Sequence, residues 1–279
     1  MLASGLTYDN RTGRAPRRAV RAMSAVLPGA AQVWARVEPY ADAWHAHNLK
    51  ALARSGRRWI VLGDSLSQGV GASAHDAGWV GQLARVLAFT GDELNVVNLS
   101  ATGTRVGDVV DQQVPALELI GVREQDLVSV MIGSNDLLGS RERRDQLPAA
   151  FVALLELVPD GAVVATLPNP RTAARAVNAH IERAAGAGRI VMADLRVTGP
   201  TSWRGRLAGD FFHPNDAGYA AIATGLEPAH RTALTRTATT SPALSAETAT
   251  RWPSAGPAGV LVPQLGRTRG PRRRPHDLW

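Results

Sequence analysis

From Arg58 onward, short apolar runs alternate with amphipathic stretches of 12 to 20 residues. The runs WIVLGD (59–64), LNVVNLS (94–100), LVSVMIG (127–133), AVVATLP (162–168) and RIVMADL (189–195) have the length and β-branched content of buried strands. Helices are predicted between them near 77–90, 106–119, 144–158 and 171–186, with a last one over 215–227 after HPND. Near-continuous apolar strands separated by helices predict a parallel sheet covered on both faces, an α/β/α sandwich of three layers with five strands. Ligands of such a sheet bind outside the carboxyl ends of its strands.

The pattern differs at both ends of the chain. Val33, Val37, Tyr40, Ala41, Trp44 and Leu49 recur near helical spacing, which predicts a helix over about 30–54 packed on the main domain. Residues 1–29 read as a flexible basic leader, 30–56 as this helical segment, 57–228 as the main domain and 229–279 as a tail rich in Pro, Thr and Arg, mostly disordered. Arg14, Arg17, Arg18 and Arg21 precede AMSAVLPGAAQVWA, but Pro, Gly and Gln interrupt that weak apolar stretch. A cytoplasmic location is therefore expected, with secretion as the minority alternative.

The formal charge of +7 divides unevenly along the chain. Residues 1–56 hold eight Lys or Arg against three acids (+5), 57–228 hold 15 against 19 (−4), and 229–279 hold eight against two (+6). The basicity belongs to the termini, where contact with nucleic acid or another polyanion would have to arise. No cysteine is present, which excludes disulfides, thiolate metal sites and cysteine hydrolases. No apolar stretch reaches the roughly 18 to 20 residues needed to span a bilayer.

Chemistry-bearing residues gather where the predicted strands end. Three strands finish in small or polar residues: Gly63-Asp64-Ser65, Asn98 to Gly103, and Gly133-Ser134-Asn135-Asp136. A fourth element, GDFFHPNDAGY (209–219), holds Asp210 and His213 within reach of one another in a loop before the last helix. Ser hydroxyl is a weak nucleophile that needs a neighbouring base, and an Asp-oriented His is the side-chain pair that supplies one. The other polar motifs carry less. HAH at 45–47 places its two histidines on different helix faces, so no metal site is expected there. GVGASA at 69–74 lacks the third glycine of a dinucleotide fingerprint. The spacing around Ser65 is not that of the Gly-x-Ser-x-Gly nucleophile elbow.

These four blocks, in this order, resemble the GDSL or SGNH hydrolase family over roughly residues 58–228. The resemblance implies a flavodoxin-like sandwich in which Ser65 is the nucleophile, His213 the general base and Asp210 its partner. It also implies an oxyanion hole formed by the backbone N–H groups of Ser65 and Gly103 and the side-chain amide of Asn135. Trp203, Arg204 and Arg206 precede the Asp-His block, and Trp203 and Arg206 are expected to bind substrate. The implied activity is hydrolysis of a small-molecule or glycan acyl ester through an acyl-enzyme, without metal or cofactor. Short acyl groups such as acetyl are favoured over the lipase, lysophospholipase, thioesterase and carbohydrate deacetylase activities of the same family. A reading of another class is a non-catalytic protein that binds polyanions through its basic termini.

Overall fold

The computed structural model describes residues 7–14 and 26–240 of the chain. Five parallel strands, β1 (Arg58–Gly63), β2 (Asn95–Asn98), β3 (Leu127–Met131), β4 (Val163–Ala165) and β5 (Val191–Ala193), lie in the order β2-β1-β3-β4-β5. Ile60 pairs with both Val97 and Val128, so β1 is fully enclosed between its neighbours. Side chains leave the sheet alternately. Ile60, Leu62, Val97, Val128 and Val130 enter one buried cluster, whereas Trp59, Val61, Leu127 and Met131 enter the other on the opposite face. Both faces are therefore covered, as the uninterrupted apolar runs require.

In this strand order the chain moves from β1 outward to β2, then crosses back to β3 on the other side of β1. The loops that follow β1 and β3 diverge at that reversal and leave a crevice at the carboxyl edge of the sheet.

Strands end earlier than their apolar runs. Residues 162–168 yield only Val163–Ala165 because the backbone of Leu167 bonds a side chain instead of a strand: its N–H donates to Asn178 Oδ1 (2.8 Å) and its carbonyl accepts from Asn178 Nδ2 (2.9 Å). The predicted helix over 30–54 is two helices, α1 (Pro28–Ala35) and α2 (Val37–Leu52). Pro39 lacks the N–H that would continue the helix to the Ala35 carbonyl, so the chain breaks at Arg36. At the other end, the last helix runs over Asp216–Thr240 and not 215–227. Pro228 forfeits one backbone bond, but Ala229, His230, Ala233 and Leu234 beyond it are buried. Residues 229–240, expected in the tail, thus belong to the folded domain.

Residues 7–14, expected in a flexible leader, are held against the domain, with Asn10 fully buried. The remaining leader residues, 1–6 and 15–25 with Arg17, Arg18 and Arg21, lie outside the described residues, as does the tail 241–279 with its GPRRRP run.

Candidate active site

The apolar run of β1 ends in a short helix, α3 (Ser65–Gln68), that begins with the serine. Asp64 caps it by accepting from the Leu66 N–H at 3.0 Å, and Gly69 closes it in the left-handed region at φ +83°. Gly63 is required by crowding, since a Cβ there would lie 2.5 Å from Ser67 Oγ and 2.7 Å from the Met131 carbonyl oxygen. Gln113 clamps the same residue, its Oε1 accepting from the Gly63 N–H and its Nε2 donating to the Gly63 carbonyl, both at 2.8 Å. Ser65 is thereby fixed on a rigid turn at the carboxyl edge of an interior strand.

His213 reaches Ser65 across 148 positions of sequence. Its Nε2 lies 3.0 Å from Ser65 Oγ, and its Nδ1 lies 2.6 Å from Asp210 Oδ2. An anionic Asp210 only accepts, so Nδ1 carries the proton and Nε2 is left to accept from the serine hydroxyl. Burial alone would raise the Asp210 carboxyl, but the His213 hydrogen bond and charge, with the Phe212 and His213 N–H groups, hold it below the usual carboxylate range. The ring edges of Phe212 and Trp34, with centroids 4.8 and 6.1 Å from that of His213, flank the imidazole.

Gly103 sits at φ +84° in the loop after β2, which helix α4 (Trp79–Phe89) precedes, and Asn135 lies in α6 (Ser134–Leu137) after β3, with α5 (Val114–Ile120) between the two residues in the chain. Asn135 Nδ2 donates to the Thr104 carbonyl at 3.0 Å, which ties the two loops together. Asp136 Oδ2 accepts from the Val106 N–H at 3.1 Å and adds a second tie. Ser65, Gly103, Asn135, Asp210 and His213 all line one cavity of about 1080 Å³.

Trp203 and Arg206 are not among the lining residues. The Arg206 guanidinium donates to the Ser202 carbonyl at 3.0 Å, Leu207 pairs with Pro214 in an antiparallel bridge, and residues 201–205 are exposed. The walls come from elsewhere: Trp34 and Val37 from the N-terminal helices, Leu138, Phe211 and Phe212, and Asn10 to Arg14. Phe211 and Phe212 could have been found from their position between Asp210 and His213. Nothing in the sequence marks residues 10–14, which lie far from every motif.

The family model for GDSL-like lipases and acylhydrolases matches residues 61–221. The chain belongs to that family. Its members cleave acyl esters, and this GDSL-like acylhydrolase is a carboxylic ester hydrolase. No curated protein matches the chain. Solved structures similar to it include a family 3 carbohydrate esterase from Clostridium thermocellum, at 20% identity and TM-score 0.54, covering 65% of this chain and 98% of that one. TesA is similar at 21% identity and TM-score 0.50, covering 64% and 100%. A lipase/acylhydrolase from Enterococcus faecalis stands at 21% and 0.50, covering 64% and 96%. At these identities the likeness is one of fold. Among the described residues, no group of three or more His, Asp or Glu is placed to hold a metal ion, and no helix is long and apolar enough to cross a membrane.

Proposed function

We propose that this acylhydrolase cleaves its ester through an acyl-enzyme on Ser65. As Ser65 Oγ attacks the ester carbonyl, its proton passes to His213 Nε2, and Asp210 stabilises the imidazolium. The Ser65 and Gly103 N–H groups and the Asn135 amide receive the negative charge that develops on the carbonyl oxygen. Collapse of the tetrahedral intermediate breaks the bond to the alcohol oxygen, which takes the proton from His213 and leaves. Water, deprotonated by the same Nε2, then attacks the acyl carbon. Ser65 Oγ recovers the proton and the carboxylic acid is released. The observation that carries this reading is the continuous chain from Ser65 Oγ to His213 to Asp210, at 3.0 and 2.6 Å, opening onto the cavity.

A cavity of about 1080 Å³ is larger than an acetyl ester of a small alcohol requires. Trp34, Val37, Leu138, Phe211 and Phe212 give it apolar walls. These features favour an ester with a bulky apolar portion over the short-acyl substrates expected from sequence. The polyanion-binding reading gains nothing from the described part of the basic terminus, since Arg11 pairs with Glu38 and Asp42 and Arg14 with Asp108.

Fluorophosphonate labelling with peptide mapping tests the nucleophile, and p-nitrophenyl esters from acetyl to long acyl chains test the pocket. Labelling confined to Ser65, abolished in Ser65→Ala, and a rate that climbs beyond acetyl are the expected results. His213→Ala should remove nearly all turnover as well, because the groups act as a unit. Folded protein that is neither labelled nor active overturns the assignment.

A further inference from the structure

We infer that Asn10, in the segment preceding the helices, is a positioning residue for the reaction: it holds the Ser100–Gly103 loop in register with the turn that carries Ser65. The inference rests on the ester-hydrolase reading of the site.

β2 lies at the edge of the sheet, so its outer backbone groups have no neighbouring strand. Side chains take that place. Asn48 from α2 acts at the last strand residue, its Oδ1 accepting from the Asn98 N–H and its Nδ2 donating to the Asn98 carbonyl, both at 2.8 Å. Beyond the end of β2, the N-terminal segment continues the pattern. Tyr8 donates from its hydroxyl to the Leu99 carbonyl (2.6 Å), Asn10 Nδ2 to the Asn98 and Ser100 carbonyls (2.6 and 2.9 Å), and Thr12 Oγ1 to the Thr102 carbonyl (3.2 Å). Tyr8, Asn10 and Thr12 thus bond backbone carbonyls between Asn98 and Thr102, and their side-chain donors stand where a neighbouring strand would.

Asn10 is where this set of bonds meets the nucleophile. It is 1% exposed, and its own carbonyl accepts from Gln68 Nε2 at 3.1 Å at the end of the Ser65 helix. Gln68 Oε1 in turn accepts from the Thr102 hydroxyl, one residue before Gly103. A closed circuit therefore runs from the Ser65 turn through Gln68 and Asn10 to the loop that presents the Gly103 N–H. The backbone of Asn10 adopts φ +64°, a left-handed conformation that Asn tolerates better than most residues with a side chain. Arg11 and Arg14 pin the segment on either side of Thr12 through Glu38, Asp42 and Asp108. Oxyanion donors act in the transition state only when their position is fixed beforehand, so loosening this circuit should lower kcat more than it alters KM.

Asn10→Gly tests the point, because glycine keeps the left-handed backbone and deletes the amide donors. In full-length protein, kcat on a p-nitrophenyl ester and the rate of fluorophosphonate labelling should both fall by about tenfold, with KM within about twofold. The pH–rate midpoint should stay in place, since the contacts of His213 with Ser65 and Asp210 are untouched. Tyr8→Phe and Thr12→Val each remove one of these bonds without changing shape and should lower kcat in the same direction by less. If Asn10→Gly folds and keeps wild-type kcat, the inference is wrong. If it does not fold, wild-type kcat in both other variants overturns it. Wild-type protein without turnover or labelling sinks the ester reading and this inference with it, whereas an active wild type with unaffected variants sinks this inference alone.

Discussion

Replacing Asp64 with Asn gives a pH-dependent stability change that can be worked from the fold. The carboxyl precedes Ser65 and is 1% exposed. One oxygen accepts from the Leu66 N–H, and the other is buried with no partner among the described residues. Burial pushes this acid from 3.8 up to about 7, with the nearby Asp136 adding to the rise. The folded protein therefore keeps a proton that the unfolded chain releases first. Stability is fully present below about pH 4, falls as pH rises from 3.8 toward 7, and levels above that. At about 1.4 kcal/mol for each pH unit of that gap, the whole loss is about 4 kcal/mol, of which about 2 to 3 kcal/mol falls between pH 5 and pH 8. Asn is isosteric, still accepts from Leu66, and does not ionise, so Asp64→Asn should lack this component. Urea unfolding of both proteins at pH 5 and pH 8 measures it as the change in their stability difference. The variant should gain on the wild type by about 2 to 3 kcal/mol over that interval. A difference that stays constant with pH refutes the reasoning, whatever its absolute size.

Three further outcomes follow from the same structure. Asn135→Ala removes the side-chain donor proposed for the oxyanion and should reduce kcat by about 10² to 10³ while Ser65 still reacts slowly with fluorophosphonate; steady-state kinetics showing wild-type kcat would remove Asn135 from the oxyanion hole. Phe211 is 73% exposed and adopts φ +53°, a conformation costing a bulky residue about 1 to 2 kcal/mol, so Phe211→Gly should raise stability by up to about 1 kcal/mol. Thermal unfolding checks the gain, and a higher KM for apolar esters should accompany it. His230 accepts from the Ser129 hydroxyl and donates from Nδ1 to the Leu226 carbonyl, both at 2.8 Å, and burial lowers it to about 4. The unfolded chain takes up this proton first, so acidification from about pH 6.5 toward 4 should cost up to about 3 kcal/mol. An NMR titration in which the His230 ring stays neutral at pH 5.5 is expected, and protonation near pH 6.5 would contradict it.

The fold class and the motif blocks of the candidate site were legible in the order of residues alone. Period-2 burial in a parallel sheet turns both strand faces apolar, so each strand appears as an uninterrupted run, and the four polar blocks stand out because they interrupt or follow those runs. Asp210 and His213 were legible as a pair because three residues of loop already place them within reach. Their distance to Ser65 was not, since a contact across 148 positions exists only once the chain beyond β5 returns to the carboxyl edge of β1, where Asp216 bonds Ser73 and Tyr219 bonds the Val70 carbonyl. The pocket walls were decided by tertiary structure to an even greater degree. Trp203 and Arg206 lie near the Asp-His block in sequence, yet neither lines the cavity. Trp34 and residues 10–14 line it from the N-terminal region. A short irregular segment that bonds the sheet edge through Tyr8, Asn10 and Thr12 buries few apolar groups of its own. It therefore leaves no periodic trace, and its composition is that of an ordinary polar leader.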